Sequence, residues 1–532
     1  MIKTDIKLPV GYTAEDIKSA ICCRLPVERC EVGDTVILKR SLNISDKANI
    51  HYDVTVGAEF SAEREAGLLK MKKKVSEMPD FTLSLPKATL ASSPVVVGSG
   101  PAGLFAALAL AEAGANPILY ERGLPVEKRL KKVSEFEKFG ILDTECNVQF
   151  GEGGAGTYSD GKLKVGGMDK YKMKVLREFV SHGAPEDIIY SMGAHVGTDK
   201  LAGIVKGIRE KIIALGGEVH FCTKLVDLKV EDGKIVGVRF EKCGSVENFE
   251  AETVVLATGH SARDVFELLR RIGARLEGRG FGIGLRIEHP REYIDRLIYG
   301  KNAPDGLGTA SYHLVTHLGS GRSVYSFCMC PGGEVVAAAS EEGGIVTNGM
   351  SEYARMADNS NSALLVSVTP DDFCSDDPLA GIELQRKIDR QAFALTKSTY
   401  KAPVTSLGAF LANDEPSLGG VSPSYKRGTE LFDPREYLPD FITESLAEAM
   451  GDFDAWMPGF SYPDAVLSGP ETRTTSPVRV ERHDSLEAVG ISGLYPTGEG
   501  AGYAGGIVSS ARDGLLVAER ILLKGKATIL DI

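Results

Sequence analysis

The chain has 532 residues, 43% of them hydrophobic and 25% charged, a composition that excludes a disordered or fibrous protein. Its 61 basic and 73 acidic residues give a net charge of −12, which argues against nucleic acid or an anionic membrane as the main partner. Nine cysteines are too few for a disulfide scaffold, and the N-terminus lacks the apolar segment of a signal peptide. We therefore expect a cytoplasmic protein without a membrane span.

Residues 1–76 are predicted to form a small α+β domain. Residues 2–8 alternate between apolar and polar as in a strand, and Thr13 can cap a helix that follows it. Two further strands are expected at 34–42 and 50–59. Residues 77–94 contain three prolines and are interpreted as a linker or an extended crossing segment.

A dinucleotide-binding fingerprint begins directly after the linker. The apolar strand 95–97 is followed by Gly98, Gly100 and Gly103 in a G-x-G-x-x-G pattern. The first glycine permits a tight turn, the second lets the backbone approach a pyrophosphate, and the third lets the helix pack on the strand. A glycine-rich turn without a ligand is the alternative.

The residues around this fingerprint strengthen it. A helix from Ala102 directs its positive N-terminal end toward the pyrophosphate, and Glu121 follows the second strand, where an acid can bind a ribose. Two other G-x-G-x-x-G matches, at 151–156 and 500–505, lack the flanking strand and helix in the required order. Only the first match is therefore interpreted as a nucleotide site.

Three motifs in order resemble the two-domain FAD flavoproteins, the superfamily of p-hydroxybenzoate hydroxylase, D-amino-acid oxidase and the fumarate reductase flavoprotein. They are the fingerprint with Glu121-Arg122, the A-T-G segment at 257–259, and Gly498-Glu499 before the last helix. The longer segments FGEGGAGTYSDGKL at 150–163 and YSFCMCPGG at 325–333 resemble, more narrowly, a bacterial family of FAD-dependent dehydrogenases of unassigned substrate.

The resemblance implies an α/β fold. A Rossmann-like FAD-binding domain, discontinuous in sequence, is expected at 95–265 and 490–532, with an inserted antiparallel-sheet α+β substrate or cap domain at 266–489. The small N-terminal α+β domain precedes both. By this resemblance Glu121 binds the adenosine ribose and Glu499 binds the ribityl chain, where most of the superfamily has aspartate.

Pattern and resemblance together assign the FAD contacts. The glycine-rich loop 151–161 is placed beside the flavin, the alternative being a plain surface loop. The predicted cofactor-binding residues are Gly98, Gly100, Ala102, Gly103, Glu121, Arg122, Gly151, Ser159, Asp160, Thr258, Gly259, Gly498, Glu499, Gly505, Gly506 and Ile507.

Three residues are candidates for catalysis. Arg286 follows glycines at 280, 282 and 284 on one face of a predicted strand, so these could form a shelf for a planar ligand with Arg286 binding its carboxylate. The alternative is a strand packed against another backbone. His260 and Arg473 are added by the resemblance to fumarate reductase-like enzymes, in which cationic side chains hold a substrate carboxylate. The alternative is that these cationic side chains form salt bridges between domains.

Two cysteines and two histidines leave other possibilities open. Cys328 and Cys330 lie two residues apart in a predicted strand, ~6.6 Å between Cα atoms, so they are either a redox pair or two buried thiols. His313 and His317 would lie ~13 Å apart in a strand, so no metal site is predicted.

The sequence thus predicts an FAD-dependent oxidoreductase that transfers a hydride between flavin N5 and a small organic substrate. No second dinucleotide unit is present, so NAD(P)H would have to bind transiently. Two alternatives stay open: an FAD-dependent RNA-modifying enzyme, and a flavoprotein with structural FAD that docks a partner protein.

Overall fold

The computed structural model describes residues 1–71, 74–87, 90–163, 167–373 and 375–530. Its N-terminal part is a β-α-β-β-α-β unit with an antiparallel sheet in the order β2-β3-β1-β4, the arrangement of ferredoxin-like folds. The elements are β1 (Ile2–Pro9), α1 (Ala14–Arg24), β2 (Thr35–Asn43), β3 (His51–Ala58), α2 (Ala62–Leu69) and β4 (Ser76–Glu77).

The elements predicted in this N-terminal unit are confirmed. Thr13 caps α1 in a reciprocal capping box, because its hydroxyl accepts from the Asp16 N–H while the Asp16 carboxylate accepts from the Thr13 N–H. Edge strand β2 contacts the rest of the chain through Arg40, which donates to Asp187 at 3.1 Å and Ser191 at 2.6 Å. One edge of the small sheet is therefore covered.

The next part of the chain builds a parallel sheet of βαβ units with a three-stranded antiparallel sheet, β8-β9-β10, attached. Its elements are β5 (Val95–Val97), α3 (Pro101–Glu112), β6 (Ile118–Tyr120), α4 (Val126–Phe139), α5 (Lys170–Ser181), α6 (Thr198–Ala214), β7 (Glu218–His220), β8 (Thr223–Glu231), β9 (Lys234–Lys242), β10 (Ser245–Glu250), β11 (Val254–Leu256) and α7 (Arg263–Arg271).

The following part of the chain builds a second, larger sheet and two two-stranded sheets, and the chain then returns to the first sheet. Its elements are β12 (Leu276–Gly278), β13 (Phe281–Pro290), α8 (Arg291–Tyr299), β14 (Val315–His317), β15 (Ser323–Cys330), β16 (Glu334–Ala337), β17 (Thr347–Met350), β18 (Asn359–Val368), α9 (Ala380–Leu395), β19 (Ala402–Ser406), α10 (Leu407–Ala412), β20 (Thr429–Leu431), α11 (Asp440–Trp456), β21 (Val466–Glu471) and β22 (Val478–Val480), before β23 (Leu494–Pro496) and α12 (Ile507–Leu530).

The two large sheets confirm the predicted fold class. The parallel sheet has the order β23-β11-β5-β6-β7, so the last strand of the chain joins the strands of the fingerprint. The seven-stranded cap sheet has the order β14-β15-β18-β13-β21-β19-β20 and is antiparallel except for the β19–β20 pair.

Helix α3 is buried on all sides, between the parallel sheet and α12. Its closest contacts depend on glycines. A Cβ on Gly103 would overlap the carbonyl oxygen of Gly98, and a Cβ on Gly514 of α12 would overlap the carbonyl oxygen of Ala102. These two glycines hold α3 against the strand turn and the last helix, which fixes where the N-terminus of α3 points.

One face of β13 belongs to the cap core, as its alternation predicts. Phe281, Ile283, Leu285 and Ile287 are buried and belong to the same apolar cluster as residues of α11. Among the described helices, none is both long and apolar enough to cross a membrane.

Candidate active site

A long cleft opens at the carboxyl ends of β5, β6, β11 and β23, the edge at which open α/β sheets bind ligands. It contains about 1610 Å³ of empty space, open solvent at its mouth included. Residues of β15 and β21 from the seven-stranded sheet, and of β17, which pairs with β16, also line it. Most of the predicted cofactor residues line it: Gly98, Gly100, Ala102, Glu121, Arg122, Gly151, Ser159, Asp160, Thr258, Gly259, Glu499, Gly505, Gly506 and Ile507.

Two predicted cofactor residues do not line the cleft. Gly103 packs against Gly98, which is the role in helix packing that the fingerprint gives it. Gly498 has φ +78° and donates its N–H to Asp513 at 2.7 Å, and a Cβ there would press on the side chain of Ala102. Both glycines therefore act indirectly, by allowing the close packing that positions the residues of the cleft.

Two glycine loops meet at the N-terminus of α3. Gly98 has φ +98°, and Pro101 is the first residue of the helix. A Cβ on Gly154 would lie 3.1 Å from the Cα of Gly100, so the fingerprint loop and the loop 151–156 face each other with bare backbone. Free N–H groups at a helix start and side-chain-free walls suit a pyrophosphate.

Glu121 is held in place directly after strand β6, at the edge of the cleft. One carboxylate oxygen accepts from the N–H and hydroxyl of Ser99, both at 2.8 Å, and the other accepts from the N–H groups of Gly123 and Gly151. Four donors fix this buried carboxylate where the second parallel strand ends. Its position suits a ribose diol, and its contact with FAD stays a prediction.

Arg129 is a site residue that sequence reasoning missed. This fully buried side chain of α4 donates to the carbonyl oxygens of Asn147 and Val148 at 2.9 Å, and of Glu152 at 2.7 Å and Gly154 at 2.9 Å. The glycine-rich loop is therefore held around one guanidinium and is not a plain surface loop. Sequence alone offered no signal, because Arg129 lies in an otherwise ordinary charged helix.

Asp160 and Ser159 line the cleft, but their polar groups are occupied within the protein. The Asp160 carboxylate forms a two-point pair with Arg355, with Nε–Oδ1 at 2.9 Å, and also accepts from the Ser351 hydroxyl. The Ser159 hydroxyl donates to the Gly156 carbonyl at 2.7 Å. Asp160 therefore ties the glycine-rich loop to the cap.

Glu499 lines the cleft near the start of α12. None of the described residues hydrogen-bonds to its carboxyl group, and burial raises the pKa of Glu499 to about 7. The backbone N–H groups at the start of α12 and the hydroxyl of Ser510 lie along the same wall. An unpartnered carboxyl group beside a helix N-terminus fits the ribityl chain and ring edge of FAD.

In the FAD-free protein, we expect Glu499→Gln to remove a pH-dependent loss of stability. The folded pKa lies above the unfolded value of 4.5, so the contribution of Glu499 to the free energy of unfolding falls as pH rises from about 4.5 to 7. This contribution is at most about 3 kcal/mol. Other buried carboxyl groups, such as Glu152, keep their own contributions, so chemical unfolding at acidic and alkaline pH should show a smaller decline in Glu499→Gln than in the wild type and the exposed control Glu444→Gln. Equal pH profiles for all three proteins would contradict it.

The interpretation of Arg286 as a carboxylate-binding residue is corrected. Its buried guanidinium donates to Glu471 at 2.7 and 2.5 Å, to the Cys328 carbonyl at 2.9 Å, and to Asn361 and Asn348 at 3.1 Å. Burial disfavours the charge, yet pairing with Glu471 keeps the pKa of Arg286 above its ordinary value. Arg286 thus positions Glu471 and Asn348, which line the cleft.

The glycines near Arg286 follow the alternative interpretation. A Cβ on Gly284 would overlap the carbonyl oxygen of Leu364 in β18, and a Cβ on Gly282 would meet the Tyr325 hydroxyl. The neighbouring strand fills this face, so no open shelf exists there.

His260 and Arg473 both line the cleft and lie beside Arg263. Burial, followed by the charges of Arg473 and Arg263, lowers the pKa of His260 to about 3, so its imidazole is neutral at pH 7. Arg473 donates to Ser340 at 2.7 Å, and both arginines lie near Glu341 and Asp389. The buried His260 Nδ1 and Arg473 Nε have no hydrogen-bond partner among the described residues.

Two family models match adjoining parts of the chain. Residues 92–281 match the pyridine nucleotide-disulphide oxidoreductase family, and residues 280–474 match the family described as FAD-dependent protein, C-terminal domain-like. An uncharacterized protein of Clostridium beijerinckii is 45% identical over 527 residues, which cover 98% of each chain.

Solved structures with similar folds include an E. coli quinol fumarate reductase variant, at 14% identity and TM-score 0.36, covering 82% of this chain and 71% of that one. A 3-ketosteroid-Δ4-(5α)-dehydrogenase from Rhodococcus jostii RHA1 has 14% identity and TM-score 0.35, covering 83% and 99%. Given the two family matches and the full-length relative, the chain belongs to a family of FAD-dependent oxidoreductases.

Proposed function

We propose that the protein transfers a hydride between FAD and a small organic substrate that carries a carboxylate or a similar anionic group. The observation that carries the proposal is Arg473, a buried cation that lines the cleft with one N–H group unpartnered among the described residues. Bound FAD supplies the ring that accepts or releases the hydride. The chain itself has to bind the substrate, orient it and exclude water.

The charges around Arg473 favour an anion. Arg263 and Arg473 share two carboxylates, Glu341 and Asp389, and burial raises the pKa of Asp389, which weakens its compensation. Burial and the proximity of Arg473 lower the pKa of Arg263 to about 9, a sign that the two guanidiniums repel each other. A substrate carboxylate would relieve that repulsion and satisfy the free N–H of Arg473.

His260 complements Arg473 as a neutral group. Because its imidazole carries no charge at pH 7, it can donate or accept one hydrogen bond without adding to the repulsion between the arginines. We assign it to orienting the substrate beside the flavin, with the cap strands β15 and β17 closing the opposite wall.

The opposite end of the cleft favours a small molecule over RNA. Arg122 pairs with Glu145 at 2.7 Å and Asp264 at 2.6 Å, and Lys224 pairs with the same two carboxylates. The cations at this end are therefore neutralised, whereas an RNA-modifying enzyme needs an uncompensated basic surface. Rapid bleaching of the flavin absorbance by NADH or NADPH would further argue against a purely structural FAD.

Arg473→Met is expected to weaken the binding of anionic ligands roughly 10- to 100-fold while FAD stays bound, because one charge-assisted hydrogen bond is lost. The measurement is the perturbation of the flavin spectrum by a panel of enoates and other carboxylates, with their neutral amides as controls. Arg435→Met, whose guanidinium pairs with Asp433 outside the cleft, is the matched control and should bind like the wild type. Equal binding of acids and amides by the wild type would overturn the proposal.

A further inference from the structure

The end of strand β15 is irregular where it reaches the cleft. Phe327 pairs with Ala363 and Cys330 pairs with Asn361, so three steps along β15 oppose two steps along β18. One extra residue is therefore bulged out of the ladder. Cys328, within this bulge, has φ +40°, a backbone conformation that non-glycine residues rarely adopt and that clusters at functional sites.

The bulge carries two cysteines that both line the cleft. Cys328 is exposed and Cys330 is buried, and both line the cleft on the wall formed by the cap. The Cys330 thiol donates to the Cys328 carbonyl at 3.2 Å, so its sulfur lies against the backbone of the other cysteine. The bulge breaks the regular alternation that would place the Cα atoms of Cys328 and Cys330 ~6.6 Å apart.

Buried polar groups hold this segment in position. Arg286 donates to the same Cys328 carbonyl at 2.9 Å and is itself fixed by the two-point pair with Glu471. The strained backbone at Cys328 is thus held in place by a buried ion pair.

Lys162 lines the same cleft as the two thiols. Its Nζ lies 3.8 Å from Asp160 and has no hydrogen bond to another described residue, because Arg355 and Ser351 already occupy that carboxylate. Burial lowers the pKa of Lys162 and raises that of Cys330 to about 12. Burial therefore favours the neutral form of the Cys330 thiol, on the same cleft wall as a lysine whose charge burial disfavours.

We propose that Cys328 and Cys330 are a redox-active pair that exchanges two electrons with FAD. Oxidation breaks two S–H bonds, forms one S–S bond and releases two electrons and two protons. FAD, whose binding belongs to the family, takes up the two electrons and two protons as it is reduced, and the reverse process restores the thiols. This inference goes beyond the proposed anionic substrate and rests only on FAD binding.

The first test is an anaerobic dithionite titration of the oxidised, FAD-loaded full-length protein. Wild type is expected to consume about four electrons per FAD, two for the flavin and two for the disulfide. Cys328→Ser and Cys330→Ser should each consume about half as many, as should any protein with the flavin alone. Cys146→Ser, a buried cysteine that does not line the cleft, is the matched control and should behave like the wild type. A wild type that consumes no more than the serine variants would overturn the inference.

A second measurement needs no substitution. Trypsin releases the peptide 323–355, in which Cys328 and Cys330 are the only cysteines. After alkylation under denaturing conditions, the oxidised protein should yield this peptide unalkylated and lighter by two hydrogens, and the dithionite-reduced protein should yield it doubly alkylated. Double alkylation in the fully oxidised protein would overturn the pair. Neither measurement uses a substrate, so failure of Arg473→Met to affect ligand binding would leave both unchanged.

Discussion

Gly103→Ala is expected to abolish FAD retention and strongly destabilise the parallel-sheet region. The added methyl group would overlap the carbonyl oxygen of Gly98, and it would also lie 3.4 Å from the side chain of Ala257. Neither neighbour can yield, because Gly98 forms the turn at φ +98° and α3 is buried between the sheet and α12. Relief requires α3 to shift, which moves the helix N-terminus away from the pyrophosphate; overpacking of this kind costs about 1–3 kcal/mol or more.

The measurement is the ratio of FAD to protein after gel filtration, together with thermal unfolding. Gly203→Ala is the matched control, since a Cβ at this position of α6 meets nothing within 4 Å. There the substitution should be neutral or stabilising by up to about 1 kcal/mol through helix propensity. Full FAD occupancy and wild-type stability in Gly103→Ala would refute the packing argument.

Arg286→Met is expected to lower the free energy of unfolding by about 3–5 kcal/mol, because it leaves the buried Glu471 carboxylate without its charge partner. It also removes the donor that holds the Cys328 carbonyl in the bulge. Denaturant unfolding of the FAD-loaded protein measures the loss. Arg322→Met is the control, since Arg322 and Asp372 form a partly exposed pair worth up to about 1 kcal/mol.

The double variant Arg286→Met with Glu471→Leu separates charge burial from packing. Removing both charges should recover most of the lost stability, because the main cost in the single variant is the unpaired carboxylate. If the double variant is as unstable as Arg286→Met, the bonds from Arg286 to Cys328, Asn348 and Asn361 account for the loss instead.

Local sequence was sufficient wherever a short stretch of backbone decides the structure. The strand 95–97, the glycine turn and the helix that follows it occur together as predicted, since Gly98 has the positive φ of the turn and Gly103 packs directly against the carbonyl oxygen of Gly98. The capping box at Thr13 is local in the same sense. Strand β13 also kept its predicted period of two, with its apolar side chains on the face toward the cap core, although its other face is buried as well.

The role of a charged or polar side chain was decided only by the tertiary structure. Arg286 has the sequence context of a ligand-binding cation, yet Glu471, 185 residues further along the chain, occupies it. Arg129 has no distinguishing context, yet it binds four carbonyl groups, two in the glycine-rich loop and two just before it. The bulge at Cys328 depends likewise on pairing with β18. The sequence by itself determined the nucleotide-binding fold, because its glycine turn and buried strand are set by local backbone geometry, and the resemblance of its motifs to known flavoproteins indicated the cofactor class. Only the tertiary structure decided which cations and thiols line the cleft, because charge pairing joins residues that are far apart in the chain.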